Sequence, residues 1–549
     1  MITLPIQIAR RASQEAVYAS YAFKRGALGI DPPWKVAQIG HAVWRYGMLG
    51  GIPAIASIRH GRDRAAVVDE LGTMTYGELD DSANALANHW RGAGLAPGDG
   101  VSILARNHRW FLVATYAAAR CGARIVLLNT DFAGPQIRDV AAREGTDCLV
   151  HDDEYGGLLA DVDTRLGRIR AWTDTSTGSV QAGGGDDTIA GVVAYGDTSP
   201  APRSGQDPKV VLLTSGTTGT PKGAPRAEPR SLAPIGALLS RVPFDAKGVV
   251  VLPAPMFHTL GFAQALLNGF LGSTLVVRRR FDPALVLEDL SANRATGMVA
   301  VPVMLQKMVE LGDEAFAEAD LSELTAIFVA GSQLGAELAT RSTQLFGPVI
   351  HNMYGSTEVA YATIATPEDL AAEPGCVGRP VMGAVVKIFD DDGREVAPGA
   401  TGRIFVGNDF QFEGYTGGGD KDRIDGLMST GDVGHFDAAG RLFIDGRDDD
   451  MIVSGGENVF PGEVEELLFA HDAVREAAAI GVPDERFGQR LRAFVVLNDG
   501  AALTADEVKA YVAQNLARYK TPRDVVFVDE LPRNPTGKVL KRQLSELEL

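Results

Sequence analysis

The sequence predicts an α/β protein: a large N-terminal domain of layered α/β subdomains with a β-rich subdomain, followed by a small α+β C-terminal domain. Three observations carry this prediction. Between Ala65 and Arg447, apolar runs of strand length (VSILA, ARIVLLN, DCLVHD, KVVLLT, GMVAVP, TAIFVA, PVIHNMYG) alternate with amphipathic stretches, the pattern of largely parallel sheets layered with helices. Late in that span the pattern turns to strand, glycine-containing turn and strand, in VKIFDDDGREVAPGATGRIFVG and VGHFDAAGRLFIDG, which predicts antiparallel hairpins. Beyond a polar, acidic joint, GRDDD, a separate series of helix and strand patterns begins (PGEVEELLFAH, VREAAAIGVPD, LRAFVVLN, ADEVKAYVAQNLA, DVVFVDELP).

The 549 residues exceed one ordinary core and suggest roughly three to four domain-sized units. The expected divisions are a helical arm at 1–60, a large domain at 61–446, a joint at 447–450 and a small domain at 451–549. The arm differs from the rest in charge, with seven basic residues against Glu15 and Asp31, a net +5. With Tyr18, Tyr21, Phe23, Trp34, Trp44 and Tyr46 interleaved, it reads either as an interfacial patch for anionic lipid or as an arm packed on its own domain. The second reading is preferred, because aromatic residues at helical spacing are usually buried against protein.

The whole chain carries 52 Lys and Arg against 70 Asp and Glu, a formal −18, which disfavours nucleic acid as a partner. Cys121, Cys148 and Cys376 are far apart and form no C-x-x-C pair, so neither a disulfide framework nor a zinc site is expected, and a reducing cytoplasm fits. The opening MITLPIQIARRAS lacks the apolar run of a signal peptide before Arg10 and Arg11 interrupt it. From Gly248 to Val277 the chain is uncharged and long enough to imitate a membrane span. Pro253, Pro255, His258, Gln264 and Asn268 break it, and its ends, VVVLP and STLVV, read as two buried strands flanking a helix.

After the strand KVVLLT comes TSGTTGTPKG, Thr214–Gly223. It fails the Walker pattern, since Pro221 precedes Lys222 and Gly223 follows it. Its backbone N–H groups, hydroxyls and ammonium nevertheless form a donor set suited to phosphate. Three further stretches follow in order: HNMYGSTEVA, then STGDVGHFDAAGRLFIDGRDDDMIVSGGENVFPGEVE, then LPRNPTGKVLKRQL. From about Arg59 to the C-terminus, this ordered set closely resembles the adenylate-forming superfamily of acyl-CoA synthetases, peptide-synthetase adenylation domains and beetle luciferases.

The resemblance implies an enzyme that joins a carboxylate to ATP as an acyl adenylate, releases pyrophosphate and passes the acyl group to a thiol. It implies ATP, Mg²⁺ and coenzyme A as cofactors, a fatty acid as the carboxylic acid partner, and a small C-terminal domain that is mobile. Thr214, Ser215, Gly216, Thr217, Thr218, Gly219 and Lys222 are expected to grip the triphosphate. In YGSTE, Tyr354 and Gly355 are expected at the nucleotide, Thr357 on phosphate, and Glu358 on Mg²⁺, for which a carboxylate is a favoured hard donor. Asp432 is expected to accept the ribose hydroxyls with Arg447 as its basic partner, and Gly331 to let a ligand approach backbone that a Cβ would block.

Lys538, in PRNPTGK, is the expected catalytic ammonium between carboxylate and α-phosphate oxygens. Asp449 matches the hinge position, and Gly455 and Gly456 the border of a pantetheine tunnel. His258 is expected at the mouth of the acyl pocket, a buried structural histidine being the alternative reading, with Phe262, Val301 and the run Val359–Tyr361 as pocket walls. The readings that compete with a fatty acyl-CoA synthetase are an aryl-CoA ligase, a fatty acyl-AMP ligase loading a carrier protein, and a nucleotide-binding scaffold that has lost catalysis. Intact Lys538, Glu358 and Asp432 argue against the last.

Overall fold

A computed structural model describes residues 4–173, 187–213, 223–226, 231–412, 414, 421–448, 452–454, 457–484, 488–516, 520–534 and 537–547. The chain divides into two units, one of residues 1–300, 310–328 and 409–420, the other of 301–309, 329–408 and 421–549.

In the first unit the predicted strand–helix alternation becomes two sets of strands. Gly100–Leu104 lies between Arg124–Leu127 and Thr146–His151 with all three parallel, and Lys209–Leu213 extends the sheet beside Arg124–Leu127. The strand Gly100–Leu104 is buried along its whole length, as a central parallel strand covered on both faces must be. The second set runs Gly297–Ala300, Val249–Val251, Thr274–Val276, Ala65–Asp69, parallel throughout, with Gly72–Thr75 antiparallel at its edge. The apolar stretch that imitates a membrane span therefore folds as strand Val249–Val251, helix Thr259–Phe270 and strand Thr274–Val276, as its prolines and amides predict. Among the described residues no helix is long and apolar enough to cross a membrane.

The arm forms two helices, Leu4–Lys24 and Pro33–His60, the second broken at Gly47, whose φ of 71° is left-handed. Beyond the break, Leu49 to Ser57 are buried against the helices Tyr76–Gly92, Arg109–Arg120 and Thr259–Phe270. Arg120 anchors this joint. Fully buried, it stacks its guanidinium 4.2 Å from the Tyr46 ring centre and donates to Gly50 O at 3.0 Å and Asn84 Oδ1 at 2.6 Å.

In the second unit, Ile350–Tyr354, Thr363–Ala365 and Arg379–Pro380 pair antiparallel. The two predicted hairpins combine into one sheet: Val385–Phe389 pairs Gly402–Gly407, which pairs Leu427–Phe436, which in turn pairs Leu442–Arg447. The C-terminal domain has its own sheet, dominated by the long antiparallel pair Val474–Asp484 and Gly488–Leu497, with Asp524–Phe527 added in parallel. Helices Pro461–Phe469 and Ala505–Asn515 supply Val464, Leu468, Val508 and Val512 to a core shared with Val474, Ala479, Leu491, Ala493 and Val495. That separate apolar cluster makes it the small α+β domain expected.

Candidate active site

The second unit brings three of the predicted residues together. Asp432 and Arg447 occupy directly opposed positions of the antiparallel pair Leu427–Phe436 and Leu442–Arg447, which puts their side chains on one face. Arg447 Nη1 donates to Asp432 Oδ1 at 3.4 Å, and the Tyr354 hydroxyl, from the end of the strand Ile350–Tyr354, donates to Oδ2 at 2.6 Å. Burial, reinforced by the Asp432 charge, pushes the Tyr354 phenol well above its ordinary pKa. It is therefore a fixed donor at any working pH. The backbone under Asp432 is also held: its N–H donates to Thr430 Oγ1 at 3.1 Å, and that hydroxyl donates to Ile404 O at 3.1 Å. Gly431 has φ 80°, and a Cβ there would stand 3.3 Å from Arg447 Nη2 and 3.6 Å from Lys421 Nζ. A side chain at 431 would therefore crowd the Arg447 guanidinium that faces the carboxylate.

The YGSTE motif leaves its strand as a folded-back loop. A Cβ at Gly355 would collide with the carbonyl of Ala360, so only glycine permits this return. Ser356 Oγ donates to Glu358 Oε2 at 2.8 Å and accepts from the N–H groups of Glu358 and Val359 at 3.2 and 3.3 Å, which orients the acid within a serine turn. Ala360 has φ 63°, a conformation that costs an L-residue about 1–2 kcal/mol. Asn408 offsets it, donating through Nδ2 to Val359 O at 2.7 Å and to Tyr361 O at 2.8 Å, on either side of the strained residue.

Gly331 follows the strand Ala326–Val329 with φ 104°, and a Cβ there would meet Val301 Cγ1 at 3.4 Å. Val301 itself is buried. Lys538 lies in a tight turn closed by Asn534, whose Oδ1 accepts from Lys538 N at 2.9 Å and whose N–H donates to Lys538 O at 2.9 Å. Arg533 Nη1 binds Gly537 O at 2.6 Å, and Gly537, with φ 78°, packs so closely on Val303 that a Cβ would collide with it. Asn534, Gly537 and Lys538 are thus held through their backbones while the Lys538 side chain is exposed.

In the first unit, His258 precedes the helix Thr259–Phe270, and its carbonyl accepts from Phe262 N at 2.9 Å. Burial pushes the imidazole down to about 4, so it is neutral near pH 7, and its buried Nε2 has no hydrogen-bond partner among the described residues. Phe257 lies against it with ring centres 4.4 Å apart, and Phe262 is buried. Thr214, Ser215, Gly216, Thr217, Thr218, Gly219, Lys222, Asp449, Gly455 and Gly456 lie outside the described residues. Thr357 sits between Ser356 and Glu358 in the turn and is partly buried.

Sequence reading overlooks Ser356, Asn408 and Thr430. Ser356 and Thr430 stand inside motifs already singled out, and hydroxyls beside an acid at a strand end are common turn formers. Asn408 follows strand GRIFVG with nothing local to mark it, since its partners are separated from it by 47 and 49 positions.

The sequence pattern of AMP-binding enzymes matches residues 56–416, and that of the AMP-binding enzyme C-terminal domain matches residues 463–538. The chain is 30% identical over 502 residues to the fatty acid–[acyl-carrier-protein] ligase ScoC of Streptomyces coeruleorubidus, covering 89% of this chain and 94% of that protein. It is 32% identical over 499 residues to a feruloyl-CoA synthase of Amycolatopsis sp, covering 90% and 96%. The crystal structure of ATP-bound MatB from Rhodopseudomonas palustris superposes with a TM-score of 0.79 at 28% identity, over 90% of this chain and 98% of that one. With two family patterns in the expected order and relatives aligned nearly end to end, the chain belongs to the AMP-binding enzymes of the adenylate-forming superfamily.

Proposed function

We propose that this protein is an ATP-dependent acid–thiol ligase that activates a fatty acid as its acyl adenylate and transfers the acyl group to coenzyme A. The observation that carries the nucleotide half is the Tyr354–Asp432–Arg447 cluster, a carboxylate positioned by one phenol and one guanidinium at a strand edge. Such a carboxylate suits a pair of ribose hydroxyls, because its oxygens are acceptors only. In the first step the substrate carboxylate attacks the α-phosphorus and pyrophosphate leaves. In the second, a thiolate attacks the acyl carbonyl and AMP leaves. Lys538 is assigned to the first step, where an ammonium offsets charge shared between the carboxylate and phosphate oxygens.

The Glu358 carboxylate and the Thr357 hydroxyl are hard oxygen donors of the kind Mg²⁺ takes, on a turn that Ser356 already orients. The metal would neutralise triphosphate charge. Asp449 is assigned as the pivot that lets the small domain serve both steps, and the loop 214–222 as the triphosphate grip.

The two named relatives differ in both the acid and the thiol acceptor, so the choice of a fatty acid rests on this chain and the choice of CoA on the thioester measurement below. Of the residues assigned to the acid pocket, Val301 and Val359 of the second unit are buried and carry no polar group, which favours an apolar tail. Pyrophosphate release measured with ATP against a panel of acids, with thioester formation followed in parallel, tests the assignment. The expected result is CoA-thioester from medium- or long-chain fatty acids and at least tenfold lower kcat/KM for cinnamate- and benzoate-type acids, about 1.4 kcal/mol. Adenylate without CoA-thioester would instead select the carrier-protein reading, and a preference for aryl acids would select an aryl-CoA ligase.

Asn408 gives a narrower prediction. Its amide holds the strained segment Val359–Tyr361, assigned here to the acid pocket. Asn408→Ala is expected to raise KM for the acid about tenfold while moving KM for ATP less than about twofold, consistent with losing two ordinary hydrogen bonds. Ala360→Gly in that background removes the left-handed penalty and should recover much of the loss. If both KM values rise together, the clamp does not act through the acid pocket.

A further inference from the structure

We propose that the N-terminal arm is a membrane-docking face that seats the protein on an anionic lipid bilayer. The residues prompting this are apolar and unburied. Of thirteen exposed large hydrophobic residues among those described, six fall between positions 17 and 44: Val17, Phe23, Ile30, Trp34, Val36 and Trp44. Ile30 is 92% exposed, Trp34 65% and Trp44 57%. The preferred expectation, an arm whose aromatic residues are covered by its own domain, agrees with Tyr18 and Tyr46, which are 2% and 7% exposed, and not with Phe23, Trp34 and Trp44.

The exposed aromatics occupy a defined surface. The break at Gly47 separates a buried half of the second helix from an outward half, and on that outward half Trp34, Ala37, His41 and Trp44 are all exposed. Their spacing of three, seven and ten residues puts them along one helical stripe. The connection between the helices is fixed: Arg59 pairs with Asp31 at 3.0 Å, Lys35 donates to Arg59 O at 3.2 Å, and Arg25 pairs with Asp245 at 3.3 Å. An ordered, solvent-facing pair of tryptophans is costly to keep in water unless something covers it.

Charge selects the occupant. Residues 1–60 carry +5 while the remainder of the chain carries −23. Both acids of the arm are engaged, Glu15 by Leu232 N at 3.0 Å and by Ser231, and Asp31 by Arg59, while of the arm's other cations Arg25 pairs with Asp245 outside it. The guanidinium of Arg203 stands 5.1 Å from the Trp44 ring centre, adding a cation to the edge of the stripe. A second copy of the chain would set like charge against like across a two-fold contact. An anionic headgroup layer complements the charge, and tryptophan side chains settle at that depth of a bilayer, which makes an in-plane helix the fitting geometry.

The test is sedimentation of the full-length protein with vesicles of phosphatidylcholine alone and with vesicles containing about 30 mol% phosphatidylserine. Binding to the anionic vesicles is expected to be at least ~10-fold stronger than to the neutral ones, and to fall about as much when NaCl is raised from ~0.1 to ~0.5 M. The Trp34→Glu/Trp44→Glu double variant, at exposed positions and checked by its unchanged melting temperature, should lose at least ~10-fold of the affinity. No binding to anionic vesicles, or equal binding by the double variant, overturns the proposal. So does a concentration-dependent dimer that the double variant abolishes without any lipid binding, which would make a second copy the occupant. None of these readouts depends on turnover, so the proposal stands or falls apart from the substrate assignment.

Discussion

Lys538→Ala is expected to lower acyl-adenylate formation by on the order of 10³-fold, about 4 kcal/mol of transition-state stabilisation, while leaving thioester formation from supplied acyl-AMP within about threefold of wild type. The magnitude follows from the charge problem: a carboxylate approaches a triphosphate, and a cation placed between their oxygens is most valuable when the bond is forming. The selectivity follows from the turn. Asn534 binds the backbone of Lys538 on both sides, Arg533 holds Gly537 O, and Gly537 packs on Val303, so the side chain can be removed without removing anything that shapes the turn. Lys538→Arg should rescue little, because a planar guanidinium does not occupy the position of a compact ammonium. ATP–pyrophosphate exchange reports the first step and CoA-dependent consumption of synthetic acyl-AMP the second. Equal loss of both steps would mean that Lys538 supports the domain as a whole, and the assignment of the two steps to different presentations of the small domain would fail with it.

The contrast between Lys538 and Asn408 shows how much of this protein is legible in its sequence. The layering of strands and helices was legible because burial on both faces writes itself as uninterrupted apolar runs, as in Gly100–Leu104, and hairpins write themselves as glycine between strands. The apolar stretch 248–277 is legible as strand, helix and strand because Pro253 and Pro255, two residues apart, disfavour one continuous helix through it. Asp432, Arg447 and Tyr354 stood out by resemblance, and the register that opposes Asp432 to Arg447 and brings the phenol to the same carboxylate gives that resemblance a physical basis. Asn408 was illegible because its work is tertiary. A side-chain amide that bridges carbonyls 47 and 49 positions away leaves no local period or turn signature. The arm was half legible: helical spacing predicts that aromatics find a face, but cannot say whether that face meets the domain, as for Tyr46, or solvent, as for Trp34.

Asp432→Asn is expected to weaken ATP binding about tenfold and Asp432→Ala about a hundredfold, with different consequences for the fold. Asparagine keeps an oxygen that can accept from Tyr354 but removes the negative charge facing Arg447. Alanine removes both partners at once. It takes from a buried phenol, already held protonated by burial, its carboxylate acceptor and leaves it beside the Thr430 hydroxyl alone, which costs about 1–3 kcal/mol and should appear as a drop of several degrees in the melting temperature. Tyr354→Phe separates the two effects, because it deletes the hydroxyl and keeps the carboxylate. If Asp432 serves mainly to tie the strand Ile350–Tyr354 to the hairpin, Tyr354→Phe/Asp432→Ala should be little worse than either single change in both stability and ATP affinity. If it holds the nucleotide, the stability losses overlap in the double variant while the affinity loss of Asp432→Ala persists in full. Calorimetric titration of ATP without acid or thiol reads the affinity independently of turnover. Unchanged affinity in Asp432→Asn would leave the cluster as a structural tie and remove it from the nucleotide site.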